Sequence, residues 1–170
     1  YQEINNLFSK LNGFNIGISW HSFSSKTGKN RCLKTHELAK IVSIENINFF
    51  NIQYGNVHNQ VKEVNLTSGK EILKVPFVDL TNDISSVADI IRNCDLIISV
   101  DNTTAHLAAA LGKPVWLLLP YNADFRWMEG ITTSLWYKNV TLIRQQKEND
   151  WSNEIEIIYN SLKSSNINKK

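Results

Sequence analysis

Residues 99–120 read "SVDNTTAHLAAALGKPVWLLLP". An apolar run stops at Asp101-Asn-Thr-Thr, restarts rich in alanine, breaks at Gly112-Lys-Pro and turns apolar again. The order implied is strand, tight turn, helix, tight turn, strand. Continuous apolar strands of this kind are buried on both faces of a parallel sheet. "DLIISV" (95–100) and "PVWLLLP" (114–120) are two of them, and a helix covers 103–111 with Gly112 closing it. The polar cluster Asp101–His106 then lies at the carboxyl edge of the sheet, where open α/β sheets bind ligands.

The alternation continues in both directions. A lead-in helix over 1–12 carries Ile4, Leu7, Phe8 and Leu11 at helical spacing and ends at Asn12-Gly13. "FNIGISW" (14–20) is the first strand. The polar loop "HSFSSKTGKNR" (21–31) leads to a helix around "THELAKIVS" and a strand "INFFNIQY" (47–54) stopped by Gly55. "NVHNQVKEV" is a short helix and "EILKVPF" (71–77) a short strand. Thr81 or Asp83 caps the next helix, whose apolar face is Ile84, Val87, Ala88 and Ile91. In the 103–111 helix, Leu107, Ala110 and Leu111 are expected to face the sheet, while Ala105, Ala108 and Ala109 permit close packing. "VTLIRQ" (140–145) is the last strand. Asp150 caps a final helix that buries Trp151, Ile155, Ile158 and Leu162. The spacing predicts an α/β, Rossmann-like, doubly wound parallel sheet of about five to six strands over 13–163, with a polar tail over 164–170.

A chain of 170 residues, 42% of them hydrophobic, has material for one substantial core and hence one domain. A net charge of +2 argues against a nucleic-acid footprint. Cys32 and Cys94 lack metal or redox spacing and read as reduced thiols of a cytoplasmic protein. No apolar run reaches the roughly 20 residues of a bilayer span, and nothing resembles a signal peptide. The first residue is Tyr1 rather than methionine, so a piece of a longer chain is expected.

Several site chemistries drop out. The glycines of "GFNIGIS" flank a strand instead of opening a helix. "KTGKN" and "TSGKE" lack the upstream glycine and following Ser/Thr of a Walker loop. His21, His36, His58 and His106 show no zinc spacing, and no nucleophile elbow is present. Neither a metal nor a cofactor is expected.

What remains is the turn at Asp101. Asn102 or Thr103 can cap the helix, and the N–H groups of Thr103, Thr104 and Ala105 with the helix dipole form an anion site. The Thr103 and Thr104 hydroxyls can donate to phosphate oxygens. His106 lies one turn in, on the face of Asn102 and Thr103, where the helix N-terminus favours a neutral imidazole. The alternative is that Asn-Thr-Thr is only a cap and His106 a satisfied surface residue. Lys26, Lys29 and Arg31 occupy the long loop at the same edge. They are either a solvated loop or the cations that stabilise a departing diphosphate. Trp20, Tyr54, Tyr121, Trp127, Trp136 and Tyr137 are aromatics near strand ends, some for packing and others available to stack on a base or sugar ring.

"GISWHS", "NRCLKTHELAKI", "NIQYG", "ADIIRNCDLIISVDNTTAHLAAALGKPVWLLLP", "DFRWM", "SLWYKNVTLIRQ" and "DWSNEI" occur in one order. Together they resemble the carboxyl-terminal part of bacterial tetratricopeptide-repeat glycosyltransferase-like proteins. Those are related to the family 9 ADP-heptose:lipopolysaccharide heptosyltransferases. The resemblance implies the donor-binding, carboxyl-terminal half of a GT-B fold in an inverting, metal-independent glycosyltransferase. Carried over, Asp101 contacts the donor sugar, Thr103 and Thr104 the diphosphate, and His106 orders the turn. Ser22 with Lys26 or Lys29 lies in the phosphate-contacting first loop, Arg31 opens the following segment, and Gln53 and Tyr54 approach the donor from the second strand. Trp20 and Asn102 complete the expected donor site.

In the heptosyltransferases Thr or Ser and then Gly usually follow the Asp. Here Asn102 and Thr103 stand in those places, so donor identity does not carry over. The catalytic base is expected outside this chain, with Asp124 as the one local candidate. The implied partners are a nucleotide-sugar donor, an acceptor (glycan, lipid-linked sugar or protein), and the amino-terminal half or repeats of the parent chain. Two other readings stay open: a non-catalytic binding module, and a related nucleotide-sugar epimerase or hydrolase.

Overall fold

A computed structural model describes residues 2–24 and 28–164. The elements run α1 (Gln2–Phe8), β1 (Phe14–Ser19), α2 (Thr35–Val42), β2 (Ile47–Asn51), α3 (His58–Ser68), α4 (Ile84–Asn93), β3 (Leu96–Val100), α5 (Thr103–Ala110), β4 (Val115–Leu119), β5 (Val140–Arg144) and α6 (Ser152–Ser164). The five strands form one parallel sheet in the order β2-β1-β3-β4-β5. Winding proceeds from β1 outward to β2, then returns through α3 and α4 to β3 on the other side of β1. The direction of winding therefore reverses between β1 and β3. That is where a crevice opens in such sheets.

Strand residues alternate between two cores, as the period of two requires. Ile16, Ile18, Phe49, Leu96, Ile98, Val100 and Leu118 pack under α2, α3 and α6. Phe50, Ile52, Ile97, Val115, Leu117, Leu119 and Leu142 pack under α1, α4 and α5. Helices thus cover both faces, the doubly wound arrangement expected from the sequence. Asp83 caps α4, accepting from Ser86 N. Asp150 accepts from Ser152 N at the start of α6, which buries Trp151, Ile155, Ile158 and Leu162.

Four expectations need correction. The segment 71–77 is not a strand: it touches the sheet edge only at Leu73, which donates to Phe49 O and accepts from Asn51 N. Pro76 just beyond it has no N–H with which to extend a ladder. The lead-in helix stops at Phe8, where Lys10 and Leu11 N–H bond three residues back. Helix α5 turns Thr104, Ala105, Ala108 and Ala109 inward. Leu107 and Leu111 are half-buried and Ala110 is exposed, because only small side chains fit where α5 lies close on the sheet. Ile84 is 64% exposed, since it opens α4 at the sheet edge. The tail beyond Ser164 lies outside the described residues. Among those residues no helix is long and apolar enough to cross a membrane.

Candidate functional site

Strand β3 ends at Val100, Asp101 and Asn102 form the turn, and α5 starts at Thr103. Asn102 is buried and makes four hydrogen bonds. Its Oδ1 accepts from Ala105 N (3.2 Å) and Ser99 Oγ (3.2 Å). Its Nδ2 donates to Ser19 Oγ (2.8 Å) and His21 O (3.1 Å). One side chain therefore caps α5 and ties β3 to the end of β1. Ser19 Oγ passes the chain on to Gln53 Oε1 (3.0 Å), which also accepts from Trp20 N (3.0 Å) and His21 N (2.8 Å). Three strand ends are thus fixed to one another by a buried polar network, whose satisfied members rigidify the turn.

The loop after β1 folds back over this edge. Gly28 permits it: a Cβ there would come within 2.3 Å of Ser22 O. The Cys32 thiol donates to Gly28 O at 3.0 Å. Arg31 then reaches across the crevice, where Nη1 donates to Asp101 O (3.1 Å) and lies 2.9 Å from Asp101 Oδ2. The carboxylate contact is an ion pair without an aligned hydrogen bond. Asp101 Oδ2 and Arg31 Nε, both buried, are left without a hydrogen-bond partner. An underbonded buried carboxylate beside an underbonded guanidinium is unfavourable and suits a place that receives a polar ligand.

These residues wall a cleft of about 360 Å³ whose lining includes Ser22, Arg31, Tyr54, Asp101, Asn102, Thr103 and His106. Thr103 is exposed, and the N–H groups of Thr103 and Thr104 face no helical carbonyl. His106 stacks on Trp127 (centroids 5.3 Å, 26°). Its Nδ1 lies 3.2 Å from the Tyr137 hydroxyl and its Nε2 3.9 Å from Asp101 Oδ1. Burial lowers its pKa below the ordinary histidine value, and the nearby Asp101 opposes this with a smaller effect. The neutral imidazole is favoured.

Sequence reasoning missed Arg126. It lines the same cleft as Arg31, and its Nε donates to Asp124 Oδ1 at 2.8 Å. The available signal was its place in the loop that follows the carboxyl end of β4. Hydrogen bonding to Arg126 holds the Asp124 carboxyl below the usual range, making it a poor proton acceptor. With Arg31 facing Asp101 and Arg126 facing Asp124, formal charges around the cleft balance. An anion would be held by oriented N–H and hydroxyl donors and the helix dipole more than by excess charge.

Five expected site residues are placed elsewhere or lie outside the described residues. Trp20 is 1% exposed, with its indole N–H on Gln60 Oε1, so it belongs to the core. Gln53 is equally buried and braces strand ends. Lys29 is exposed and lies off the cleft wall, and Lys26 is outside the described residues. Thr104 lines a smaller neighbouring hollow with Tyr54, Ile84 and Leu107. A broader groove of about 600 Å³ between α3 and residues 71–81 has mixed charges, Lys62 and Lys74 beside Glu71 and Asp79, and includes none of residues 99–106. The switch-point cleft is the better candidate. Among the described residues no group of three His, Cys, Asp or Glu side chains is placed to hold a metal ion.

Residues 62–156, more than half of the chain, match glycosyltransferase family 9 (heptosyltransferase). The chain belongs to glycosyltransferase family 9. This family 9 domain is 26% identical over 140 residues to Protein FlbA of Caulobacter vibrioides, which covers 82% of this chain and 23% of that protein. Its fold is similar to that of E. coli ADP-heptose LPS heptosyltransferase II, with a TM-score of 0.63 at 14% identity over 96% of this chain and 52% of the other. The E. coli heptosyltransferase WaaC with ADP gives 0.59 at 17% identity over 94% and 46%. The chain spans about half the length of these two structures and about a quarter of FlbA. The parallel sheet, expected from the sequence with about five to six strands and found with five, is accordingly one Rossmann-like unit matching GT-B glycosyltransferase structures.

Proposed function

We propose that this domain holds the nucleotide-sugar donor of an inverting, metal-independent glycosyltransferase, as the carboxyl-terminal half of a GT-B enzyme. The observation that carries this reading is the open amino end of α5. Thr103 lines one cleft there with Arg31 and Arg126, at the crevice where the sheet reverses its winding. The solved structure of WaaC includes ADP, the type of anion such a crevice suits.

In the reaction, an acceptor hydroxyl oxygen bonds to the anomeric carbon as the bond from that carbon to the diphosphate oxygen breaks. The electron pair leaves with the nucleoside diphosphate, and the hydroxyl proton goes to a base. Donor hydroxyls and N–H groups of the α5 turn, with the two guanidiniums, stabilise the charge that grows on the leaving group. Asp101, paired with Arg31 in the cleft wall, is assigned to the donor sugar. Asp124, tied to Arg126, is a weak base, which supports a base from the amino-terminal half. That half, with any tetratricopeptide repeats of the parent chain, would also hold the acceptor glycan, lipid-linked sugar or protein.

Calorimetry with ADP, UDP and GDP, with and without a chelator, tests this reading. Binding of at least one diphosphate that survives the chelator is expected. Binding by none, or only with divalent metal, overturns it.

A further inference from the structure

A second hollow, about 220 Å³, adjoins the cleft and shares His106 and Arg126 with it; its remaining walls are Trp127, Trp136 and Tyr137. The diphosphate reading makes no use of this aromatic side. Trp136 is 66% exposed, an unusual position for an indole that has only packing to do. It is nonetheless held in place: its Nε1 donates to Arg126 O (3.0 Å) and its backbone N–H to Ser134 Oγ (3.1 Å). Trp127 and Tyr137 are fixed through His106, by stacking and by the hydroxyl contact. The Trp127 indole N–H is buried without a hydrogen-bond partner. The Arg126 guanidinium is anchored by Asp124 and half exposed.

A rigid indole face beside an oriented guanidinium matches the chemistry of a pyranose ring. Such a ring offers an apolar C–H face for stacking and a rim of hydroxyls for a charged donor. We propose that this hollow is a pyranose-binding subsite, in which the sugar stacks on Trp136 and turns its hydroxyls to Arg126. The inference rests on the diphosphate reading for its place in the reaction, since the shared wall puts the sugar next to the leaving group. The ring can be the glycosyl unit of the donor or the terminal sugar of the acceptor.

Two arms separate these sources, each run on the wild type, Trp136→Ala and Trp136→Phe. In the first, calorimetry compares ADP with ADP-glucose and UDP with UDP-glucose and UDP-N-acetylglucosamine. In the second, methyl glycosides of glucose, galactose and mannose are titrated with and without ADP or UDP, following by NMR the backbone amide signals of Trp127 and Tyr137, which line the hollow in all three proteins. The subsite predicts that Trp136→Ala weakens a sugar-bearing probe by roughly tenfold, equivalent to about 1.4 kcal/mol, and leaves the bare diphosphates unchanged. Trp136→Phe, which loses the hydrogen bond to Arg126 O but keeps an aromatic face, retains most of the binding. An effect in the first arm assigns the donor sugar, and one in the second the acceptor. If no diphosphate binds, the glycoside arm without nucleotide still reads the subsite, so the two readings fail separately. The proposal is overturned if Trp136→Ala changes no sugar-bearing probe, if bare diphosphates lose as much as their sugar conjugates, or if the phenylalanine and alanine variants behave alike.

Discussion

Replacing Asn102 with alanine deletes the residue that joins β1, β3 and α5. Two losses add. The N-cap acceptor for Ala105 N disappears, which costs about 0.5–2 kcal/mol in comparable helices. The Nδ2 donor to Ser19 Oγ and His21 O also disappears. Ser19 keeps its bond to Gln53 and Ser99 its bond to Val100 O, so the His21 carbonyl is the main group left unpaired, at about 1–3 kcal/mol. The sum is about 1.5–5 kcal/mol, which lowers the melting temperature of a domain this size by on the order of 3–20 °C. Urea denaturation with unchanged slope, together with thermal melts, measures it. Asn102→Asp separates the two parts, since aspartate caps as well as asparagine but sets an oxygen against Ser19 Oγ and His21 O. A loss below about 0.5 kcal/mol in the alanine variant, within the range of ordinary surface changes, refutes the network argument. A wild-type melt for Asn102→Asp refutes its bridging half.

Arg31→Ala strips Asp101, only 1% exposed, of its ionic partner and destabilises the fold by about 3–5 kcal/mol in urea melts. Thr103→Ala, at an exposed position, leaves stability near wild type but weakens diphosphate binding by roughly 1.5–3 kcal/mol, read by calorimetry. Lys29→Ala, off the cleft wall, changes that affinity by no more than about 1 kcal/mol. The folded-state pKa of His106 is lowered, so as pH falls the unfolded chain takes up its proton first, near pH 6.5. Stability is therefore lost from about pH 6.5 down to the lower folded value. Melts between pH 5 and 8 show this slope, and His106→Gln flattens it, leaving the contribution of His21, also lowered by burial.

The sheet was legible because β3 and β4 are unbroken apolar runs, a pattern that only burial on both faces produces. The turn between them was legible because Asn-Thr-Thr before an alanine-rich helix has few other uses. What failed depended on tertiary distance. Nothing local distinguishes Trp20, whose indole finds Gln60 on α3, from a tryptophan that stacks on a ligand. Gln53 read as a ligand contact because its three backbone and hydroxyl donors come from β1, 32 to 34 residues earlier. Arg126 was hidden because its partner Asp124 lies only two residues away and accounts for it locally, whereas the cleft it shares with Arg31 is made by the fold. The inward face of α5 was misjudged because leucine outranks alanine in hydrophobicity, whereas the close approach of helix and sheet selects for size.

The central claim, that the amino end of α5 receives a nucleoside diphosphate without metal, is tested most directly by amide NMR of the labelled domain titrated with ADP and UDP in the presence of a chelator. The account predicts that the N–H signals of Thr103 and Thr104 move most, with the Arg31 and Arg126 side-chain signals following on the same binding curve. Shifts confined to Lys62, Lys74 and their neighbours in the groove beside α3, with residues 101–106 unmoved at saturation, would contradict it.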